Sequence, residues 1–250
     1  MLSMFDMIIT SLDNSKIVEV SKLSDKKYRK QTGKYVIEGV RLVEDAIKYG
    51  ANIVAVYVKE SVSDKFAYAN QTVVSDKVFA KICDTVNNQG VLAVAEKKNN
   101  SVLPPIGNSL VLDCLQDPGN VGTLIRTAVA CGFTDIYAVN TVDLYSPKVL
   151  RSAMSAHFCI NLHECENVEQ VYEQLQNVET VACDMNGDNI FEARFDGNVA
   201  LVLGNEGNGL SEYAKKHCNL TVSLPMANNF ESLNVAVAGS VIMYQIYSKK

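Results

Sequence analysis

The chain has 250 residues, 48% of them apolar, and a formal charge of −5 at neutral pH. That length supports a full hydrophobic core in one or two domains, and no apolar run approaches the ~18 residues of a membrane-spanning helix. Seven cysteines (83, 114, 131, 159, 165, 183 and 218) are odd in number and never spaced C-x-x-C, which argues against a disulfide framework or a zinc site and for free thiols.

The opening residues carry Asp6 and Asp13 and lack a basic leader or a small-residue cleavage pattern, so a soluble cytoplasmic protein is expected. From Lys16 to Arg41 the chain is basic: eight lysines and arginines, among them Lys26, Lys27, Arg29 and Lys30, face only Glu19, Asp25 and Glu38. A local patch of this kind can serve nucleic acid even where the net charge is negative. Next, GKYVIEGVRLVEDAIKYG places Val40, Val43, Ala46 and Ile47 at helical spacing, and NIVAVYVKE is a β-branched apolar run. Strand, helix, strand is the predicted order, followed by a helix over SDKVFAKICDT and a strand in QGVLAVAEKK. KKNNSVLPP then breaks the pattern. The predicted domains are residues 1–97, a linker over 98–105, and residues 106–250.

In the second domain strand-like and helical runs alternate: SLVLDCL, NVGTLIRTAVACGF, DIYAVN, SPKVLRSAMSAHF, VETVACDM, VALVLG, LSEYAKKHC, LTVSLPM and SLNVAVAGSVIMYQIY. Such alternation predicts an α/β fold with a mostly parallel sheet covered by helices on both faces, with ligands gathering at the carboxyl ends of the strands.

Three loops that follow predicted strands carry unusual chemistry. In LQDPGNVGTLIRTA, Asp117 to Gly119 form a turn, Asn120 is placed to cap a helix from Val121, and Arg126 lies about one and a half turns in. In LGNEGNGLSE, Gly204, Gly207 and Gly209 surround the lone acid Glu206. In LPMANNFESLNVAVAG, Pro225 ends a strand and Ser232 opens the last helix, with Asn234 on its first turn. Each loop alone has a plainer alternative: a solvated surface arginine, a generic glycine turn, an N-cap serine. The three together, in this order, carry more. The glycines do not form G-x-G-x-x-G, which weakens a nicotinamide-cofactor oxidoreductase as a rival.

N-x-G-x-x-x-R at Asn120, Gly122 and Arg126, G-N-E-G at Gly204 to Gly207, and L-P-M with S-L-N-V at Ser232 to Val235 resemble the three motifs of the SpoU-type 2′-O-ribose methyltransferases of the SPOUT superfamily. The first domain is similar to the ribosomal-protein-like α/β substrate-binding domain of that family, whose basic run and E-G pair appear as KKYRKQTGKYVIEG. One departure is Arg151, Ser152, Ala153, Met154, Ser155, where the family more often has R-A-S-x-G. The resemblance implies a trefoil-knotted second domain, a homodimer formed through it, and an S-adenosylmethionine-dependent RNA methyltransferase acting on a ribose 2′-hydroxyl. Large-subunit ribosomal RNA is the expected target. Transfer RNA and a non-catalytic RNA-binding role are the alternatives.

By the same resemblance Gly204, Asn205, Gly207, Leu224, Met226 and Leu233 hold the cofactor. Arg126, Asn120, Glu206, Ser232 and Asn234 serve the reaction. A guanidinium with a pKa above ~12 is a poor base, so Arg126 is expected to bind the neighbouring phosphate and stabilise the developing alkoxide, with Glu206 aligning it. Lys26, Lys27, Arg29 and Lys30 are expected to meet RNA. No metal and no membrane are expected, and His157, His163 and His217 lie outside the three loops.

Overall fold

The computed structural model describes residues 8–98, 101–229 and 232–249. Asp6, part of the expected linker and residues 230–231 of the third loop therefore lie outside the described residues. The chain divides into two compact units, one drawn from its first 99 residues with Tyr145–Pro147, the other from the remainder.

The first unit runs α1 (Ser15–Lys22), α2 (Lys26–Thr32), β1 (Lys34–Glu38), α3 (Val40–Lys48), β2 (Asn52–Lys59), β3 (Gln71–Val74), α4 (Asp76–Ile82) and β4 (Val91–Glu96). Its sheet has the order β1-β4-β2-β3, antiparallel except for the parallel pair β2 and β3. The strand, helix, strand order expected from Tyr35 to Lys59 is β1, α3 and β2. Ile17 and Val20 of α1 pack with Val78 and Phe79 of α4 against Tyr57, Leu92 and Val94. Each fully buried side chain of this size contributes roughly 1.5–3 kcal/mol.

The second unit runs β5 (Ser109–Asp113), α5 (Pro118–Ala130), β6 (Asp135–Val139), α6 (Pro147–Ala153), β7 (Asn161–Cys165), α7 (Val168–Gln174), β8 (Glu179–Asn189), β9 (Val199–Leu203), α8 (Glu212–His217), β10 (Leu220–Ser223) and α9 (Val235–Ser248). Its six strands lie in the order β10-β8-β9-β5-β6-β7, every neighbouring pair parallel. Every residue of β5, β6 and β9 is buried, as a central strand covered on both faces requires. β7 and α7 have no apolar signature in the sequence. NLHEC carries His163, which bonds Asp135 Oδ1 at 3.0 Å in the interior, and α7 buries only Val171.

Two helix starts differ from expectation. α5 begins at Pro118, three residues before Val121, because Asp117 and not Asn120 is the cap: its carboxylate accepts from Asn120 N at 2.9 Å. Proline fits the first helical position because its missing N–H would have no partner there. α9 begins at Val235, because Asn234 rather than Ser232 caps it, accepting from Ala236 N at 2.9 Å and Val237 N at 3.3 Å. The strand before it ends at Ser223, two residues ahead of Pro225.

The departure at Arg151–Ser155 falls where α5 meets the segment after Tyr145. A Cβ on Gly122 would lie 2.3 Å from Ser152 Cβ, so glycine is required for this approach. Ser152 Oγ donates to Gly119 O at 3.1 Å. Serine is thus accommodated by bonding the turn beneath it.

Candidate active site

Parallel strands deliver their following loops to one edge of a sheet, and here the loops after β5, β9 and β10 meet there. The glycine loop after β9 closes on itself: Asn205 N donates to Gly209 O at 2.8 Å and Gly209 N to Asn205 O at 2.9 Å. Asn205 Oδ1 accepts from Gly207 N and Asn208 N, both at 3.0 Å, and its Nδ2 donates to Cys114 O at 2.8 Å. A Cβ on Gly204 would come within 2.3 Å of the Gly209 carbonyl carbon. Gly204 is therefore demanded by the loop's own backbone, whatever lies beyond it. Gly207 has open space, its nearest neighbour being Asn205 Oδ1 at 3.6 Å.

A chain of polar contacts joins the three loops. Glu206 accepts from Gln116 N at 3.2 Å, Asp117 N at 3.0 Å and Asn120 Nδ2 at 3.2 Å. Asn234 Nδ2 in turn donates to Asn120 Oδ1 at 3.0 Å. The amide orientations are forced. The α9 amides need the Asn234 oxygen, which leaves its NH2 for the Asn120 oxygen, and the Asn120 NH2 for a carboxylate that can only accept. Burial alone would raise the Glu206 carboxyl, but the Asp117 and Gln116 amides and Asn120 outweigh it and hold the pKa below the usual value. Its charge also sits at the amino end of a 13-residue helix, where the dipole favours an anion.

Beside this relay lies a cavity of about 830 Å3, within the range of ligand pockets. All six residues expected to hold a cofactor line it: Gly204, Asn205, Gly207, Leu224, Met226 and Leu233. Glu206, Ser232 and Asn234 line it too. Ser232 is exposed and has no hydrogen bond among the described residues. Asn120 is brought in through its two bonds rather than as a lining residue.

Arg126 is not brought into the cavity. It is exposed on α5 without an ion pair or hydrogen bond among the described residues. Glu206 accordingly does not align it, contrary to expectation, because that carboxylate is spent on the turn that starts α5. Of the basic residues, Lys26, Lys27 and Lys30 stand exposed on α2. Arg29 is a correction. It is only 4% exposed, and its Nη1 donates to Leu23 O at 2.6 Å and Ser24 O at 2.8 Å, so it ties α2 to the end of α1 instead of facing solvent.

The sequence reading missed Cys183, Asp184, Met185 and Asn186, which also line the cavity. They follow the apolar start of β8, where the strand loses its β9 partner after Ala182. The expectation that ligands gather past strand ends pointed there, but the run DMN matches no motif. Burial pushes the Cys183 thiol up to about 11, so it stays protonated at neutral pH and is no nucleophile. Among the described residues no group of three or more His, Cys, Asp or Glu is placed to hold a metal, and no helix is long and apolar enough to cross a membrane.

The sequence model of the SpoU rRNA methylase family matches residues 107–244, which include all three loops. The chain belongs to the SpoU rRNA methylase family. A second model, the MRM3-like substrate binding domain, matches residues 14–93. The chain is 32% identical to the 23S rRNA (guanosine(2553)-2′-O)-methyltransferase RlmP of Bacillus subtilis, over 95% of this chain and 98% of that protein. It is 28% identical to the 23S rRNA (uridine(2479)-2′-O)-methyltransferase of Streptomyces viridochromogenes, over 89% and 85%. Among solved structures, the AdoMet-bound rRNA methyltransferase of Sinorhizobium meliloti superposes with a TM-score of 0.85 at 28% identity, covering 96% of each chain. The SPOUT-type α/β fold expected from the motifs of this SpoU protein is the fold observed.

Proposed function

We propose that this chain transfers a methyl group from S-adenosylmethionine to a ribose 2′-hydroxyl of large-subunit ribosomal RNA, in the cytoplasm. The observation that carries this reading is the relay from Glu206 through Asn120 to Asn234, which binds the three motif loops around one cavity. The two curated relatives, both 23S rRNA 2′-O-methyltransferases by name, support the target class. Residues 1–97 act as the RNA substrate-binding domain, 98–105 as the linker and 106–250 as the knotted catalytic domain.

The cavity suits the cofactor. Its walls combine apolar side chains, Leu203, Met226 and Ala238, with backbone of the glycine loop and of Leu224 to Met226, and Asp184 adds a carboxylate. An extended ligand with an adenine, hydroxyls and an ammonium group needs that mixture. S-adenosylmethionine supplies an electrophilic methyl group when bound. The protein's own part is to position the ribose hydroxyl in line and to ease loss of its proton. Ser232, unengaged within the described residues, orients the hydroxyl, and Asn120 and Asn234 fix the wall beside it. Arg126 binds the adjacent phosphate and stabilises the oxyanion, since a guanidinium does not deprotonate at neutral pH.

Because Arg126 stands outside the cavity of its own chain, it serves the site of a second copy, and the enzyme works as a homodimer through its C-terminal unit. The exposed apolar stripe of α9 supports this: Val237 is 50% exposed, Tyr244 53%, and Val241 lies between them. Stripes of this kind on a soluble surface mark association. The test is methyl transfer to a 23S rRNA transcript, with the methylated ribose mapped, alongside thermal stabilisation by S-adenosylhomocysteine against NAD. Methylation of bulk tRNA alone would move the target. Stabilisation by neither ligand, with no transfer, would leave an RNA-binding protein without activity.

A further inference from the structure

The first unit has a cavity of its own, about 500 Å3, lined by α1, α2 and residues from all four strands of its sheet. Its floor is apolar, with Val20, Leu23, Ala55 and Val94, and two tyrosines line it, Tyr28 from α2 and Tyr57 from β2. Tyr57 is 4% exposed, yet its hydroxyl has no hydrogen bond among the described residues. The hydroxyl is not fully enclosed and belongs to a side chain that lines the cavity. A ligand placed there can exchange water for a hydrogen bond to this phenol.

Charge around the cavity identifies the occupant. Lys16 and Lys34 line it, and α2 also carries Lys26, Lys27 and Lys30 on its exposed surface. Glu19 lines it as well, and burial first and then this carboxylate raise the Tyr57 pKa. Glu19 disfavours a bare phosphate beside it, although Lys16 and Lys34 line the same cavity. A neutral planar group with N–H donors satisfies both Glu19 and the tyrosines, while Lys16, Lys34 and the α2 lysines take the charges attached to it. That combination describes a nucleobase on its sugar-phosphate chain: single-stranded RNA is read by stacking bases on aromatic side chains and bonding their edges.

Resting on the reading as an RNA methyltransferase, we propose that this cavity seats one unstacked nucleobase of the substrate RNA, beside phosphates held by the α2 lysines. Phosphate contacts position the RNA, and this base contact specifies it. The site lies in the unit without the cofactor cavity and holds a nucleotide other than the one methylated.

Two variants of the full-length protein test this. Val54→Trp fills the cavity mouth from an exposed strand position, and Tyr57→Phe removes only the hydroxyl. Binding to a fluorescent 23S rRNA transcript should weaken about 5- to 100-fold in the first, the loss of one stacked base, and about 2- to 10-fold in the second, the loss of one hydrogen bond. KM for the transcript should rise in step while kcat and S-adenosylmethionine affinity stay at parent values. The slope of log affinity against log salt should not change, because no phosphate contact is removed. Parent affinity and KM in both variants would overturn the pocket while leaving the methyltransferase reading intact. A flattened salt slope would also overturn it, by making the cavity a phosphate site. Failure of the unaltered chain to methylate either a 23S transcript or bulk tRNA would instead sink the reading on which the pocket rests.

Discussion

Replacing Glu206 by glutamine isolates the charge at the centre of the three-loop relay. The carboxylate accepts three hydrogen bonds, from Gln116 N, Asp117 N and Asn120 Nδ2. A glutamine of the same shape keeps one accepting oxygen and turns an NH2 toward the remaining donors. Charge-assisted bonds are worth roughly 1.5–3 kcal/mol when buried. This residue is exposed, so solvent screening reduces the expected loss to about 1 kcal/mol. For a protein of this size that is a fall in melting temperature of roughly 2–4 °C at pH 7. The pH dependence carries the sign. The folded pKa is depressed, so the charge contributes stability above the ordinary glutamate value and loses it as pH falls through the folded value. The parent and Glu206→Gln melting curves, read by scanning fluorimetry, should differ at pH 7, and the gap should narrow as pH falls below the ordinary glutamate value. Equal melting temperatures at pH 7, or a gap that does not narrow with falling pH, would refute the role given to this carboxylate.

Asn234→Asp keeps the α9 cap but removes the donor to Asn120 and brings a second negative charge near Glu206; S-adenosylmethionine affinity measured by calorimetry should fall, while Asn234→Asp with Glu206→Gln should recover part of it. Gly204→Ala should destabilise the second unit and abolish cofactor binding, whereas Gly207→Ala should bind within a few-fold of the parent, which equilibrium dialysis can check. Arg126→Ala should lower transfer to a 23S transcript by at least ~100-fold, the scale of losing an oxyanion stabiliser, and leave cofactor affinity near the parent value. Arg29→Ala should cost about 1–3 kcal/mol in unfolding experiments because it strips the buried Leu23 carbonyl of its donor and removes the part-buried bond to Ser24 O. Lys26, Lys27 and Lys30 replaced by glutamate should keep the fold and flatten the salt dependence of RNA binding.

The sheet of the second unit was legible because a central strand covered on both faces leaves an unbroken apolar run, as in SLVLD and VALVL. Helix starts were less legible. Asp117 and Asn120 are both good caps, as are Ser232 and Asn234, and only the partners of each side chain decide which one begins the helix. Arg29 reads like its neighbours Lys27 and Lys30 because composition carries no information on which side of a helix meets the interior. The four residues past Ala182 belong to the cavity by geometry alone. The family was legible from the motifs of the loops, but the reason for Gly204 was not: it answers to Gly209, five positions on, before any ligand.

The relay also has a consequence in time. Its links span 86 positions between Asn120 and Glu206 and 114 between Asn120 and Asn234. During synthesis the domains of a chain fold as they emerge, so the first unit can be complete long before any of these bonds exists. The cavity between the three loops can close only when the start of α9 has left the ribosome. A transcript truncated before Asn234 should therefore yield a nascent protein whose first unit is folded and whose three-loop cavity is not, and on the proposed function it would occupy the substrate without modifying it.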